Sequence, residues 1–110
     1  MFPSNDHGNQ EPGESCTIKD AMRKKYKAEY LIMEKIHVNG PETHPVWSFL
    51  RRNSKDLWNE TKGEAKVIPW SWSSFIIDGQ GKVVKFNRAF HESPKSCTKL
   101  IGRLTGGVDL

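Results

Sequence analysis

Two cysteines, Cys16 and Cys97, and four histidines, His7, His37, His44 and His91, are the side chains of this 110-residue chain best suited to nucleophilic or metal chemistry. A thiol attacks as its thiolate, so a reactive cysteine needs donors or cations that favour the anion. Two cysteines do not make a disulfide framework, and they fit a reducing compartment. The histidines are scattered without ligand spacing, so no metal site is expected. Gly13-Glu14-Ser15 opens like a nucleophile elbow, but residue 17 is Thr where that motif needs a second glycine. Gly79 and Gly81 read as a hairpin turn rather than a phosphate loop, because no helix start follows them.

The elements that would position these groups can be read from punctuation and period. After Pro12-Gly13, Thr17 is expected to cap a helix whose apolar face is Ile18, Met22 and Tyr26, ending near Lys27. Tyr30 to Val38 favours an extended segment, stopped by Asn39-Gly40-Pro41. Pro45 suits the first turn of a second helix with Val46, Phe49 and Leu50 on one face. Asn53 to Lys66 is polar and reads as a surface loop. Phe75-Ile76-Ile77 and Lys82 to Phe86 flank a glycine-containing turn and predict a hairpin. Ser93 and Pro94 are expected to start a last helix carrying Cys97, Leu100, Ile101 and Leu104 on its apolar side.

At this length one small domain, residues 1–110, is expected, with little core to spare. Hydrophobic residues make up 35% and mean hydropathy is -0.68, low for a globular chain, yet the periodic apolar stretches argue against disorder. No apolar run approaches the roughly 20 residues of a membrane span, and no leader pattern opens the chain. A cytoplasmic location is expected. The net charge of +4 gathers at Arg23, Lys24, Lys25 and Lys27 and at Arg51 and Arg52. With no stacking aromatics or binding motif beside it, this charge reads as solvated helix faces rather than a nucleic-acid footprint. It would also suit an anionic thiol or phospholipid head groups. Asn59-Glu60-Thr61 matches the glycosylation sequon, which matters only in a secreted protein.

Four ordered segments carry a family resemblance. Phe2 to Gly13 reads FPSNDHGNQEPG and resembles the FPxNxxGxQEPG segment of the glutathione peroxidases. KAEYLIMEKIHVNG, residues 27–40, is similar to that family's strand ending in a VNG turn. THPVWSFLRR, residues 43–52, resembles the following helix, and IPWSWSSFIIDGQGKVVKF, residues 68–86, resembles the WNF segment and final hairpin. The short stretch between Arg52 and Ile68 lacks the insertion of tetrameric members, so the chain is similar to the monomeric, phospholipid-hydroperoxide type. The resemblance implies an α/β, thioredoxin-like fold of glutathione peroxidase type, lacking its N-terminal strand and helix. It also implies reduction of hydrogen peroxide or of organic and lipid hydroperoxides by glutathione or another thiol, in the response to oxidative stress. No prosthetic cofactor is implied.

In that family a thiol or selenol is activated by donors from a Gln, a Trp and an Asn, and the resemblance assigns these to Asp6, Trp70 and Ser71. An indole N–H and a hydroxyl can both donate to an anion. An ionised carboxylate cannot, and Asp6 would repel a thiolate unless it is protonated or paired with neighbouring His7. Trp70 also reads as a buried apolar anchor. Many members carry a resolving cysteine where this chain has Arg23. Cys16 lies about two helical turns earlier and is expected to cap or pack, and Cys97 reads as a small core residue.

The family's reactive cysteine or selenocysteine lies upstream of the first segment and has no counterpart in these residues. Two readings follow from the sequence. One is an oxidoreductase recorded without its N-terminal third, as happens when a selenocysteine codon is taken for a stop. The other is a catalytically inactive relative or fragment, which Asp6, Ser71 and Arg23 favour.

Overall fold

A computed structural model describes residues 1–88 and 94–106. The chain divides into two compact units, Met1–Pro45 and Val46–Leu110.

In the first unit the regular element is helix α1, Ser15–Tyr26. It starts two residues before the expected cap: Glu14 is the N-cap, extended at φ -67° and ψ 151°, and Thr17 lies inside the first turn. Pro12 and Gly13 have already turned the chain, so no side-chain cap is needed to set the direction. The helix ends where Lys27 turns left-handed at φ 51°, with Arg23, Lys24 and Lys25 in the last turn, where cations offset the carbonyl end of the helix dipole. Of the expected apolar face Ile18 is buried, Met22 is half-buried and Tyr26 is 58% exposed.

The segment from Tyr30 to Val38 pairs with the first residues of the chain but forms no sheet strand. The Met1 amine donates to Leu31 O at 2.7 Å and Met33 N donates back to Met1 O at 2.9 Å, a parallel pattern. Pro3 then ends the ladder, because it has no N–H to donate; it only accepts, from Ile36 N at 2.9 Å. Ile32 and Val38 are buried, whereas Leu31 and Met33 are exposed.

The second unit is built on aromatic packing. Helix α2, Pro45–Arg52, begins at the expected proline, but it buries Trp47 and Leu50 while Val46 and Phe49 stay exposed. Trp47 has the larger apolar surface, and it meets Phe75 edge-on at 5.5 Å between ring centroids. The predicted hairpin is present as strands β3, Ser74–Ile77, and β4, Val83–Asn87, antiparallel, with Phe75 opposite Phe86 and their rings 5.0 Å apart. Its turn is organised by Asp78, whose Oδ1 accepts from Gln80 N and Lys82 N, both at 2.9 Å. The register shifts after Ile76, which leaves Val84 as a bulge.

The stretch expected to be an irregular loop holds a second, smaller hairpin. Strands β1, Trp58–Asn59, and β2, Glu64–Ala65, pair antiparallel around Gly63, whose φ of 64° no branched side chain would tolerate. Arg51 fixes it from α2, donating to Lys66 O at 3.0 Å and Ala65 O at 3.2 Å. Two-residue strands are too short to show a period, which is why the sequence reads as loop.

The last helix is split. Pro94–Cys97 forms a 3-10 turn and α3 spans Thr98–Leu104. Cys97 is buried, Leu100 and Ile101 are half-buried, and Leu104 is exposed. The expected cap Ser93 and the fourth histidine, His91, lie outside the described residues.

Candidate functional site

The loop of residues 2–13 is shaped by polar side chains. Gly8 and Asn9 both adopt left-handed backbone, φ 64° and 51°, which glycine and asparagine accept most readily. Asn5 Oδ1 receives the Glu11 N–H at 2.8 Å. Lys35 closes the far side, its Nζ donating to Gly13 O at 2.7 Å and Glu11 O at 3.3 Å while its own N–H donates to Ser15 Oγ at 3.0 Å.

Asp6 is engaged on both oxygens. Its Oδ1 lies 2.8 Å from His37 Nδ1, and its Oδ2 accepts the N–H groups of Val38 at 2.8 Å and Asn39 at 3.2 Å. Burial by itself pushes the carboxyl up, but the His37 hydrogen bond, the two backbone N–H groups and the imidazole charge outweigh it and hold Asp6 below its usual value. The hydrogen bond to Asp6 and its charge raise His37. Asp6 therefore meets His37, 31 positions away, a partner that the sequence does not mark. His7 is instead buried, its Nε2 3.4 Å from Asn39 Nδ2.

Arg23 pins the chain beyond α1. Its Nη1 donates to Ala28 O and, at 2.9 Å, to Tyr30 O. The contacts of Arg23, Lys35 and His37 escape a sequence reading because the partners are backbone atoms or distant residues that no spacing rule marks.

Trp70 and Ser71 sit together in the second unit, at the start of a turn before β3. Both are half-buried, so Trp70 is not the buried anchor that the sequence also allowed. Ser73 Oγ donates to Trp70 O at 2.8 Å and closes the turn, and Trp72 takes φ 67° with 76% of its surface exposed. Asp6 belongs to the first unit, among a different set of partners.

The cysteines separate cleanly. Cys16 is exposed on α1, neither capping nor packing. Cys97 is buried as expected, its Sγ donating to Asn87 Oδ1 at 3.4 Å, and Asn87 in turn donates to Ser74 Oγ at 3.3 Å. An open groove of about 1020 Å³ in the second unit has Lys66, Lys85 and Arg88 along it with Asp56 and Glu64. Neither Trp70 nor Ser71 lines it. Among the described residues no cluster of His, Cys, Asp and Glu could hold a metal ion, and no helix is long and apolar enough to cross a membrane.

Comparison with known proteins bears on what these residues belong to. Residues 1–51 match the family model for glutathione peroxidase. A hydroperoxy fatty acid reductase, gpx1, of Synechocystis sp. is 42% identical over 84 residues, covering 76% of this chain and 50% of that protein. A probable phospholipid hydroperoxide glutathione peroxidase of Mesembryanthemum crystallinum is 36% identical over 105 residues, 96% of this chain and 58% of that protein. The chain belongs to the glutathione peroxidase family. It spans about half the length of these two relatives. A crystal structure of Trgpx in its apo form superposes with a TM-score of 0.64 at 19% identity, over 99% of this chain and 79% of that one. The fold is thus thioredoxin-like, of the glutathione peroxidase type.

Proposed function

We propose that the protein carrying this chain is an oxidoreductase that reduces hydroperoxides, lipid hydroperoxides among them, with glutathione or another thiol as electron donor. The observation that carries this reading is the 36–42% identity to relatives named for hydroperoxide reduction, over 84 and 105 residues of this chain. Trp70 and Ser71 supply an indole N–H and a hydroxyl from one turn, and donors aimed at a thiolate or selenolate favour the reactive anion. Neither Cys16, on the exposed face of α1, nor Cys97, closed in the second unit, stands where the family places its nucleophile. The reactive group of this reading is one that residues 1–110 do not contain. The net charge of +4 supports action at phospholipid head groups, the short Arg52–Ile68 connection supports a monomer, and two free cysteines support the cytoplasm.

A second reading, a catalytically inactive relative, is favoured by Arg23. The residue at the resolving position is committed to holding Ala28 and Tyr30 and brings no thiol. Turnover of hydrogen peroxide and of a phospholipid hydroperoxide, assayed with glutathione and with thioredoxin on the natural full-length product, decides between the two. The first reading expects turnover with at least one donor and a Trp70→Phe variant roughly 10- to 100-fold slower, the worth of one hydrogen bond to a charged group. Absence of turnover with both donors would establish the second.

A further inference from the structure

Asp6 and His37 are 31 positions apart in sequence and come within 2.8 Å of each other, Oδ1 to Nδ1. Each partner is fixed by something else. Asp6 is held by the Val38 and Asn39 N–H groups on Oδ2, and its own N–H donates to Ser4 Oγ at 3.3 Å. His37 is held by its backbone, whose carbonyl accepts the His44 N–H at 2.8 Å. The imidazole has a second acidic neighbour, Glu42 Oε2, 3.7 Å from Nε2. Asp6 is sheltered, with 15% of its side chain exposed, whereas His37 keeps 57% of its side chain in solvent and can exchange its proton freely.

We infer that His37 is a positioning residue for Asp6: together they form a proton-dependent clasp that ties the Phe2–Gly13 loop to the Val38–Asn39 backbone and neutralises the carboxylate while the imidazole is charged. The inference rests on the peroxidase reading only for its consequence, since Asp6 occupies the position the family fills with an uncharged amide donor. With His37 protonated the pair is neutral there. Without that proton the loop carries an uncompensated negative charge, which opposes formation of any nearby thiolate or selenolate.

The signs of the two shifts define when the clasp holds. Asp6 is lowered, so its contribution is present above the usual 3.8 and is lost as pH falls through its lower folded value. His37 is raised, chiefly by the Asp6 hydrogen bond and charge, with Glu42 adding and Lys35 opposing. Its contribution is full below 6.5 and is lost as pH rises through its higher folded value. The clasp is therefore complete in weak acid and loosens on the alkaline side of 6.5. It does not open fully, because the two backbone N–H groups still bind Oδ2.

Nuclear magnetic resonance of the 110-residue chain across this range is the test, and it needs no hydroperoxide. The His37 ring should titrate above 6.5, with the Val38 and Asn39 amide signals moving at the same midpoint. In Asp6→Asn the midpoint should fall toward the ordinary histidine value. In His37→Gln, which keeps a donor for Oδ1 but cannot gain charge, the two amides should lose their pH dependence in that range while the rest of the spectrum is unchanged. If Asp6→Asn does not fold, His37→Gln decides alone. A wild-type His37 titrating at or below 6.5, or a Val38 amide in His37→Gln that still moves with pH at the wild-type midpoint, would overturn the clasp; the Asn39 amide, whose side chain also meets His7, is read only beside it. Both outcomes are independent of turnover, so an inactive protein with an intact clasp would remove the peroxidase reading and leave this one.

Discussion

The two units reach order by opposite routes. Met1–Pro45 has one helix, which buries Ile18, and a few further buried apolar residues, Ala28, Ile32 and Val38, and it is tied by side chains that reach backbone atoms: Arg23 to Ala28 and Tyr30, Lys35 to Glu11 and Gly13, Asp6 to Val38 and Asn39. Val46–Leu110 has two hairpins and a row of aromatic rings, Trp47 on Phe75 on Phe86, with Leu50, Leu57, Ile68, Val83 and Cys97 also buried. Apolar burial is non-directional and tolerates small shifts, whereas a charged hydrogen bond works only at one geometry. The first arrangement fixes a loop in a particular shape. The second supplies stability to a frame.

If that contrast is right, the largest effect of a single substitution lies in the second unit. Phe86→Ala removes the ring that stacks on Phe75 from the buried side of β4 and should cost about 3 kcal/mol, the lower end for deleting a core phenylalanine. Hydrogen exchange should show faster exchange at Phe75 and Ile77 with little change at Met33 and Ile36. Equal loss in both units would mean that they open together and that the comparison fails.

A smaller effect is expected from the polar ties. Lys35→Met keeps the aliphatic stem but removes the ammonium shared by Gly13 O and Glu11 O, worth about 1–2 kcal/mol for a partly buried charged hydrogen bond. The N–H groups of Met33 and Ile36, which donate to Met1 O and Pro3 O, should lose protection, and the β3–β4 amides should not. Protection unchanged at Met33 and Ile36 would show that the short backbone pairing holds the loop unaided.

The same contrast explains what the sequence reveals. Strong local signals survive folding: Asp78-Gly79-Gln80-Gly81 between apolar runs gives the β3–β4 hairpin, and Pro45 starts α2. The β1–β2 hairpin is hidden because each strand has two residues, and the α2 face is misread because Trp47 outweighs the two smaller positions that periodicity favours. Tyr30–Val38 looks like a strand and is prevented from becoming one by a proline some 30 positions away, a fact of tertiary pairing rather than of its own composition. At the candidate site the family resemblance proposes Asp6, Trp70 and Ser71. They do not reveal that His37 satisfies Asp6, because nothing in either residue's neighbourhood marks the other.

The smallest perturbations, at the two cysteines, sharpen the comparison without disturbing either unit. Cys16 is exposed on α1 with no side-chain cap to make, so Cys16→Ser should change stability by no more than about 0.5 kcal/mol. A thiol reagent should modify Cys16 in the folded chain directly. Cys97 is 2% exposed and its Sγ donates to Asn87 Oδ1, so its modification must wait for the Pro94–Cys97 turn to open away from β4. Its rate then reports that opening equilibrium. Phe86→Ala, at the position directly before Asn87 on β4, should speed Cys97 labelling by on the order of 10²-fold if opening requires the unit to unfold, about tenfold for each 1.4 kcal/mol. Lys35→Met should leave that rate alone. If Lys35→Met also exposed Cys97, the polar ties of the first unit would be supporting the aromatic frame of the second, and the two routes to order would be one.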